Sequence, residues 1–385
     1  MGKIRIFLDV SPHPFYESLI LYPPKEVEYV NIQKDKFLLS YKELSVYSSF
    51  KRRLLKKIVL KLHYISSLPR IKIVKPVDIN LYHSGRGVFI YGNIKYVLDL
   101  EYVTSPYGLN WFISKRKLSK LLLKKLFSAN NLKWIIPHSY SALYSIRDFL
   151  GKDFFRKIKD KISVIYPAID PKTNKPRSLD KSKITLLFVS SSKENFIYKG
   201  GLEVLHAFLE LKNKYDIELI IRSDVPAVIY KKYKDIVKFI PKVDRCRLFQ
   251  IYMNSDIFVY PTYFDTWGYV NLEAMSCALP IITSNTFAVP EIVRNYKNGI
   301  IINVDKWKWN KGYLVDEYKE KNRKIYWKVK YDVVQKLKEK IVELIEDTKL
   351  YRKLSRNNLL EVVKGRFSIK ERNKKLLDVY SKCLE

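Results

Sequence analysis

The sequence predicts an α/β protein made of two Rossmann-like, doubly wound domains facing a cleft, with a C-terminal helical tail. Three observations carry this expectation. Short apolar runs alternate with segments of helical period along most of the chain. The alternation is interrupted once, by Tyr166-Pro167-Ala168-Ile169-Asp170-Pro171 and a polar stretch reaching Lys183. A length of 385 residues exceeds one ordinary core and suits two.

In the first half, residues 4–10, 27–32, 71–74, 78–82, 88–91, 96–100, 134–137 and 162–166 read as strands, with a glycine-spaced turn at Gly85-Arg86-Gly87. In the second half, residues 184–189 and 217–222 are near-continuous apolar runs, as strands covered on both faces require. Residues 237–240, 256–260, 280–283 and 299–302 continue that series, with helical patterns over 201–212, 227–235, 246–254 and 269–278. From Val333 onward the chain reads as helical, with Leu337, Ile341, Leu344 and Ile345 on one face. The boundaries that follow are a first domain over 1–170, a linker over 171–183, a second domain over 184–365, and a closing helix over 366–385 that returns to the first domain.

Composition narrows the class. With 47% hydrophobic and 29% charged residues the chain is globular rather than disordered. No uninterrupted apolar run is long enough for a transmembrane helix, and Met1 to Val10 reads as a strand rather than a signal peptide, so a cytoplasmic setting is expected. Cys246, Cys277 and Cys383 are odd in number and far apart, which argues against a disulfide framework or a cysteine metal site. The net charge of +33 attracts phosphate, whether in nucleotides, anionic lipid or nucleic acid; a composition bias toward lysine is the plain alternative.

Two stretches carry chemistry. The first runs from Leu187 through Ser190, Ser191 and Lys193 to Lys199-Gly200-Gly201, where a buried strand gives way to a polar loop and a helix starts at the glycines. Amides at a helix N-terminus beside a lysine suit a diphosphate; the bland reading is an ordinary loop with a surface lysine. The second stretch places Asp265 in the loop after a strand, Gly268 at the start of a helix and Glu273 within its first two turns. A carboxylate there can accept two hydrogen bonds from a vicinal diol such as ribose. Read blandly, Asp265 caps the helix and Glu273 is solvated.

These residues together resemble retaining glycosyltransferase family 4, also called glycosyl transferases group 1, of GT-B fold. The shared pattern is an acid-x7-acid element (Asp265 to Glu273), then Ala274-Met275-Ser276-Cys277-Ala278-Leu279-Pro280, Pro290-Glu291-Ile292-Val293 and Gly299. Lys199-Gly200-Gly201 falls where that family places its diphosphate lysine, and Leu248, Tyr252 and Asp256 to Pro261 match its preceding helix and strand. Val164 to Asp170 is similar to its interdomain linker, and Arg366-Phe367-Ser368 to the start of its closing helix.

The resemblance implies transfer of a sugar from a nucleotide-diphosphate-sugar to an acceptor hydroxyl, on a glycan or a lipid-linked acceptor, with retained anomeric configuration and no metal ion or cofactor. It implies catalytic roles for Lys199, against the leaving diphosphate, and for Asp265, near the donor sugar. It also implies nucleotide contacts from Ser191, Thr266, Trp267, Gly268 and Glu273. The chain departs from the pattern at Asp265 and Thr266, where Glu-Gly is usual, at Phe287-Ala288, where two glycines are usual, and at Ser191 and Lys193 in place of a loop arginine. The loop at Phe287 is therefore expected to follow a different path, and a divergent or inactive nucleotide-sugar-binding homologue is the alternative within this fold.

The first half matches the family poorly, with Ser11-Pro12-His13-Pro14 where a glycine-rich loop is usual. Glu101 is expected to orient the acceptor hydroxyl, with Asp99, His83 and His138 as other candidates. Basic amphipathic patterns near 51–62 and 115–126 suggest attachment to an anionic membrane, at the inner face of the cell membrane. In the second of these, Leu118, Leu121, Leu122 and Leu126 form one face. A basic nucleic-acid-binding protein is the rival from another class, but no nucleic-acid-binding motif is present, and no nucleic-acid partner is expected.

Overall fold

A computed structural model describes residues 3–10, 13–32, 68–74, 78–109, 116–180, 182–304 and 327–385. The chain divides into two compact units, one drawn from Met1–Ala168 and Ile369–Glu385, the other from Ile169–Lys308 and Tyr318–Ser368. The basic pattern at 51–62 lies outside the described residues.

In the first unit, β1 (Ile4–Asp9), β2 (Val27–Tyr29), β4 (Leu81–Ser84), β6 (Tyr96–Leu100) and β7 (Leu132–Pro137) form a parallel sheet in the order β2-β1-β4-β6-β7. Ile6 pairs with Leu81 and Tyr82 with Tyr96, so the apolar positions of neighbouring strands stack in register. Helix α1 (Pro14–Leu21) starts where the His13 side chain accepts the Phe15 amide and Pro14 pre-sets the first turn. Helices α2 (Lys117–Phe127), α3 (Tyr140–Leu150) and α4 (Lys152–Ile158) follow. The C-terminal helix Ile369–Lys382 packs Leu376, Val379 and Tyr380 against Ile6, Leu8, Leu81, Val97 and Ile136, joining the far ends of the sequence in one core.

Four strand expectations in this unit shift. Residues 71–74 and 88–91 leave the main sheet and pair separately, as β3 (Ile71–Ile73) with β5 (Phe89–Tyr91). The strand expected over 78–82 begins only at Leu81, because the Asn80 side chain takes the Arg5 amide that a ladder would otherwise use. Residues 162–166 make a single bridge from Ile162 to Ile135 rather than a strand. Ser163 and Ile165 still donate to Ile135 and Pro137 before Pro167, which lacks an N–H, ends the pairing.

The second unit holds six parallel strands: β8 (Ile184–Val189), β9 (Ile217–Arg222), β10 (Lys238–Ile240), β11 (Ile257–Tyr260), β12 (Ile281–Ser284) and β13 (Ile300–Ile302). Their spatial order, β10-β9-β8-β11-β12-β13, is that of a dinucleotide-binding Rossmann sheet and reverses between β8 and β11. Every residue of β8, β11 and β12 is buried, which explains their unbroken apolar runs. The crossovers include α5 (Lys193–Tyr198), α6 (Gly201–Leu211), α7 (Ala227–Tyr233), α8 (Arg245–Met253), α9 (Tyr269–Ser276) and α10 (Val289–Ile292). Helices α11 (Tyr331–Glu346) and α12 (Thr348–Val363) close the unit, with Leu337, Ile341 and Leu344 buried and Ile345 half-buried.

The polar segment after Pro171 is bound to this unit. The Lys172 amide donates to Ser276 O at 2.7 Å and the Arg177 amide to Ser355 Oγ at 2.7 Å. The Arg177 guanidinium donates to the carbonyls of Cys277 (2.7 Å), Ser255 (2.7 Å) and Met253 (3.0 Å), satisfying oxygens that helix ends leave exposed.

Candidate functional site

The sheet order of the second unit puts the crevice of the topological switch point between the loops that follow β8 and β11. The chain after β8 adds a short helix that the glycines alone did not reveal: Ser192 caps α5 by accepting the Asn195 amide. Lys199 ends that helix, and Gly200 turns into α6 with φ of +80°. A β-carbon at Gly200 would lie 2.6 Å from the Pro261 carbonyl oxygen, so glycine is what lets the two loops touch. The Tyr263 amide then donates to Tyr198 O at 2.9 Å, locking them together.

This contact delivers Lys199 to Asp265. Lys199 Nζ lies 2.8 Å from Asp265 Oδ2 and donates to Phe264 O at 2.6 Å. The Tyr260 hydroxyl donates to the same carboxylate oxygen at 2.5 Å, and the Gly268 amide to Oδ1 at 2.9 Å. Burial, then the Asp265 charge, raises the Tyr260 hydroxyl well above the usual phenol range, so it stays a donor. Asp265 therefore caps the turn into α9, as the bland reading of the sequence has it, and in addition pairs with the lysine, which the sequence did not indicate. Gly268 has φ of +83° and its amide is held within the loop by Asp265.

Glu273 is not solvated; it is 3% exposed. Arg245, the first residue of α8, forms an ion pair with Glu273 Oε1, and the buried Tyr252 donates to Oε2 at 3.1 Å. Burial, then the Glu273 charge, raises the Tyr252 hydroxyl well above its ordinary value. Sequence reading missed Arg245, Tyr252 as a contact, and Arg222. Arg222 ends β9 buried, donating to Ser190 O at 2.8 Å, and its charge acts on Tyr252. Among 72 basic residues an individual arginine gives no compositional signal; the available one is the i, i+7 spacing of Arg245 and Tyr252 on one helix face.

Thr266 and Trp267 are buried, the Trp267 ring packing edge-on against Phe367 at 6.2 Å. Ser191 lies exposed at the loop, its hydroxyl accepting Asn195 Nδ2 at 2.6 Å. Phe287 occupies the left-handed region, φ of 47°, which glycine favours, and its ring meets Phe264 edge-on at 4.8 Å. A side chain thus sits where a glycine-like turn is kept. Deeper in the unit, Glu203 is fully buried in the first turn of α6. Burial pushes its carboxyl up to about 7, against the opposing pull of the Lys330 amide, which donates to Oε1 at 3.0 Å.

In the first unit Asp99, His83 and His138 are buried and engaged with one another. Asp99 Oδ1 accepts the Tyr16 hydroxyl at 2.9 Å and the Arg86 amide at 2.6 Å. His83 Nε2 lies 3.3 Å from Asp99 Oδ2, and His138 Nε2 3.6 Å from Oδ1. His83 Nδ1 meets the Tyr380 hydroxyl of the C-terminal helix at 2.6 Å. Burial works against ionisation of Asp99, but the two histidines outweigh it and hold the carboxyl well below the usual range. These three side chains are buried and, with Phe15, Leu19 and Tyr166, line a cavity within this unit, whereas Glu101, just past β6, is half-buried and the more accessible of the acceptor-side candidates.

Residues 171–360 match the family described as Glycosyl transferases group 1. An uncharacterized glycosyltransferase of Methanocaldococcus jannaschii is 23% identical over 298 residues, covering 68% of this chain and 74% of its own. The HepE protein of Anabaena, crystallised with UDP and glucose, superposes with a TM-score of 0.59 at 14% identity, covering 99% of this chain and all of its own. A sucrose-phosphate synthase of Thermosynechococcus elongatus superposes with a TM-score of 0.57 at 13% identity, covering 99% and 98% of the two chains. With a Rossmann sheet whose switch point gathers a lysine and two acids in the family's order, and with this family match, residues 171–360 belong to glycosyl transferases group 1, and the chain has the GT-B fold.

Proposed function

We propose that the chain transfers a sugar from a nucleoside-diphosphate sugar to an acceptor hydroxyl with retention of anomeric configuration, using the β8/β11 crevice as its donor site. The observation that carries this reading is the convergence of Lys199, Asp265 and Glu273 at the switch point of one sheet. Breaking the anomeric C–O bond puts negative charge on the departing diphosphate. Lys199 Nζ, already fixed by Phe264 O and Asp265, is a preorganised cation for that charge. Asp265 lies beside it for the donor sugar, and the Glu273 carboxylate takes the ribose diol. Ser191 and the loop 266–268 line the same strand edge, and no metal or organic cofactor is required in this scheme. HepE, bound to UDP and glucose in its crystal, supports a nucleotide-sugar donor.

On the acceptor side we assign Glu101 to orient the incoming hydroxyl. We also assign α2 to an anionic membrane surface carrying lipid-linked acceptors. Its buried face is Ser119, Leu123 and Phe127, while Leu118 and Leu121 are 53% and 64% exposed beside Lys117 and Lys125. This divides the leucine face expected from sequence and sets two leucines among cations, the pattern of an interfacial helix. No helix among the described residues is long and apolar enough to cross a membrane. Flotation with liposomes that contain or lack anionic lipid tests the assignment; failure to float at low salt with anionic lipid overturns it.

The donor site is tested by thermal shift with UDP-, GDP- and ADP-sugars on wild type, Lys199→Ala and Glu273→Ala. A true donor raises the melting temperature of the wild type and both substitutions weaken that rise. An equal rise in all three proteins overturns the site.

A further inference from the structure

Glu273 is held from two directions by one helix face. Arg245, Phe249 and Tyr252 stand at i, i+4 and i+7 on α8, and Arg245 and Tyr252 reach Glu273 on α9. Arg245 pairs with one Glu273 oxygen and Tyr252 donates to the other, so neither oxygen is free to rotate. The Arg245 guanidinium also lies over the Phe249 ring at 4.8 Å, which fixes the plane of its fork. A cation in the first turn of a helix opposes the helix dipole. Its presence there is explained by what the side chain reaches, not by the helix it starts.

An ionised carboxylate offers about four acceptor positions, and two on Glu273 are taken by Arg245 and Tyr252. The remaining two, one on each oxygen, match the paired hydroxyls of a ribose. Tyr252 is completely buried while the Arg245 side chain is 15% exposed, so the clamp has an inner wall and an outer edge reached by solvent.

We propose that Arg245 is a positioning residue that sets selectivity for ribose: together with Tyr252 it holds Glu273 so that nucleotide binding depends on the ribose 2′-hydroxyl. The inference rests on the donor-site reading above and deepens it. It predicts that Arg245 contributes to binding through the sugar of the nucleotide, not through its base or its charge.

The test is calorimetric titration of the full chain with UDP, GDP and ADP and with their 2′-deoxy counterparts. Wild type, Arg245→Ala, Arg245→Lys and Tyr252→Phe are compared, with melting temperatures recorded as a fold control. Wild type should prefer the ribonucleotide by about tenfold, the scale of a hydrogen bond to a charged group. In Arg245→Ala that preference should fall to less than about threefold, through loss of ribonucleotide affinity with little change for the deoxynucleotide. Arg245→Lys keeps the charge without the fork and should restore only part of it. Tyr252→Phe removes one hydroxyl, should fold, and should lower the preference in the same sense. Equal loss of both nucleotides in Arg245→Ala and Tyr252→Phe overturns the inference alone. Failure of the wild type to bind any nucleoside diphosphate overturns it together with the donor site.

Discussion

The two units place charged clusters in comparable parallel sheets and use them in opposite ways. In the first unit, Asp99 lies 2% exposed among Tyr16, Arg86, His83 and His138, with Tyr380 of the C-terminal helix on the far side of His83. In the second, the side chains of Lys199, Asp265 and Arg245 keep 14%, 18% and 15% of their surface. A cluster buried this deeply has most of its acceptors filled from within, even where it lines a cavity of its own unit, and chiefly holds the fold. A cluster left partly open at a switch point retains acceptor and donor capacity for a ligand. Sequence alone could not separate these cases, since both present an acid among basic and aromatic residues.

The contrast breaks first at Lys199. Lys199→Ala should lower kcat/KM for glycosyl transfer by about 100- to 1,000-fold, the scale of losing one preorganised donor to a developing anion. The melting temperature should change little, because the lysine is at a loop edge and Asp265 keeps Tyr260 and Gly268 as donors. Steady-state kinetics beside a thermal melt checks this. A large fall in melting temperature with modest loss of rate would move Lys199 into the structural class.

Asp99 should behave in the reverse manner. Asp99→Ala leaves Tyr16, the Arg86 amide and His83 without their acceptor in a buried setting. The cost should be on the order of 3–5 kcal/mol. Hydrogen exchange should report the loss in β1, β4, β6 and the C-terminal helix, with nucleotide affinity in the second unit nearly unchanged. The carboxyl is held low in the fold, so its contribution is present above the unfolded pKa and fades only as pH falls through the native value. Acidification, not alkalinity, should reproduce the mutant.

Much of the second unit was legible because its strands are covered on both faces and read as apolar runs between helical patterns. Lys199, Asp265 and Glu273 were legible because each lies in a loop or within the first two turns of a helix whose position the strands dictate. Arg245 and Arg222 were not, since nothing local distinguishes a working arginine from a solvated one in a chain of net charge +33. The first unit was harder for a physical reason as well. Its sheet borrows a helix from the far end of the sequence, and Asn80 and Pro167 trim strands that hydrophobicity alone would extend.

Glu203 sharpens the comparison with the smallest change in chemistry. It is a buried acid in the open unit, yet it serves the interior, as Asp99 does, and its shift has the opposite sign. Asp99 is held ionised by histidines, whereas burial pushes Glu203 from 4.5 up to about 7. Below pH 4.5 the carboxyl is protonated in both folded and unfolded chains and adds no penalty. As pH rises toward 7 the unfolded chain ionises first, so unfolding gains, and the penalty levels off once the native group also ionises. The full span corresponds to about 3 kcal/mol at about 1.4 kcal/mol per pKa unit. Glu203→Gln keeps an oxygen for the Lys330 amide and removes the titration. Its stability relative to wild type should therefore be similar near pH 4.5 and should rise by about 2–3 kcal/mol by pH 8, read from denaturant melts across that range. A stability difference that stays flat with pH would mean that Glu203 is ionised in the fold, and that an acid in this unit's interior is paired as Asp99 is.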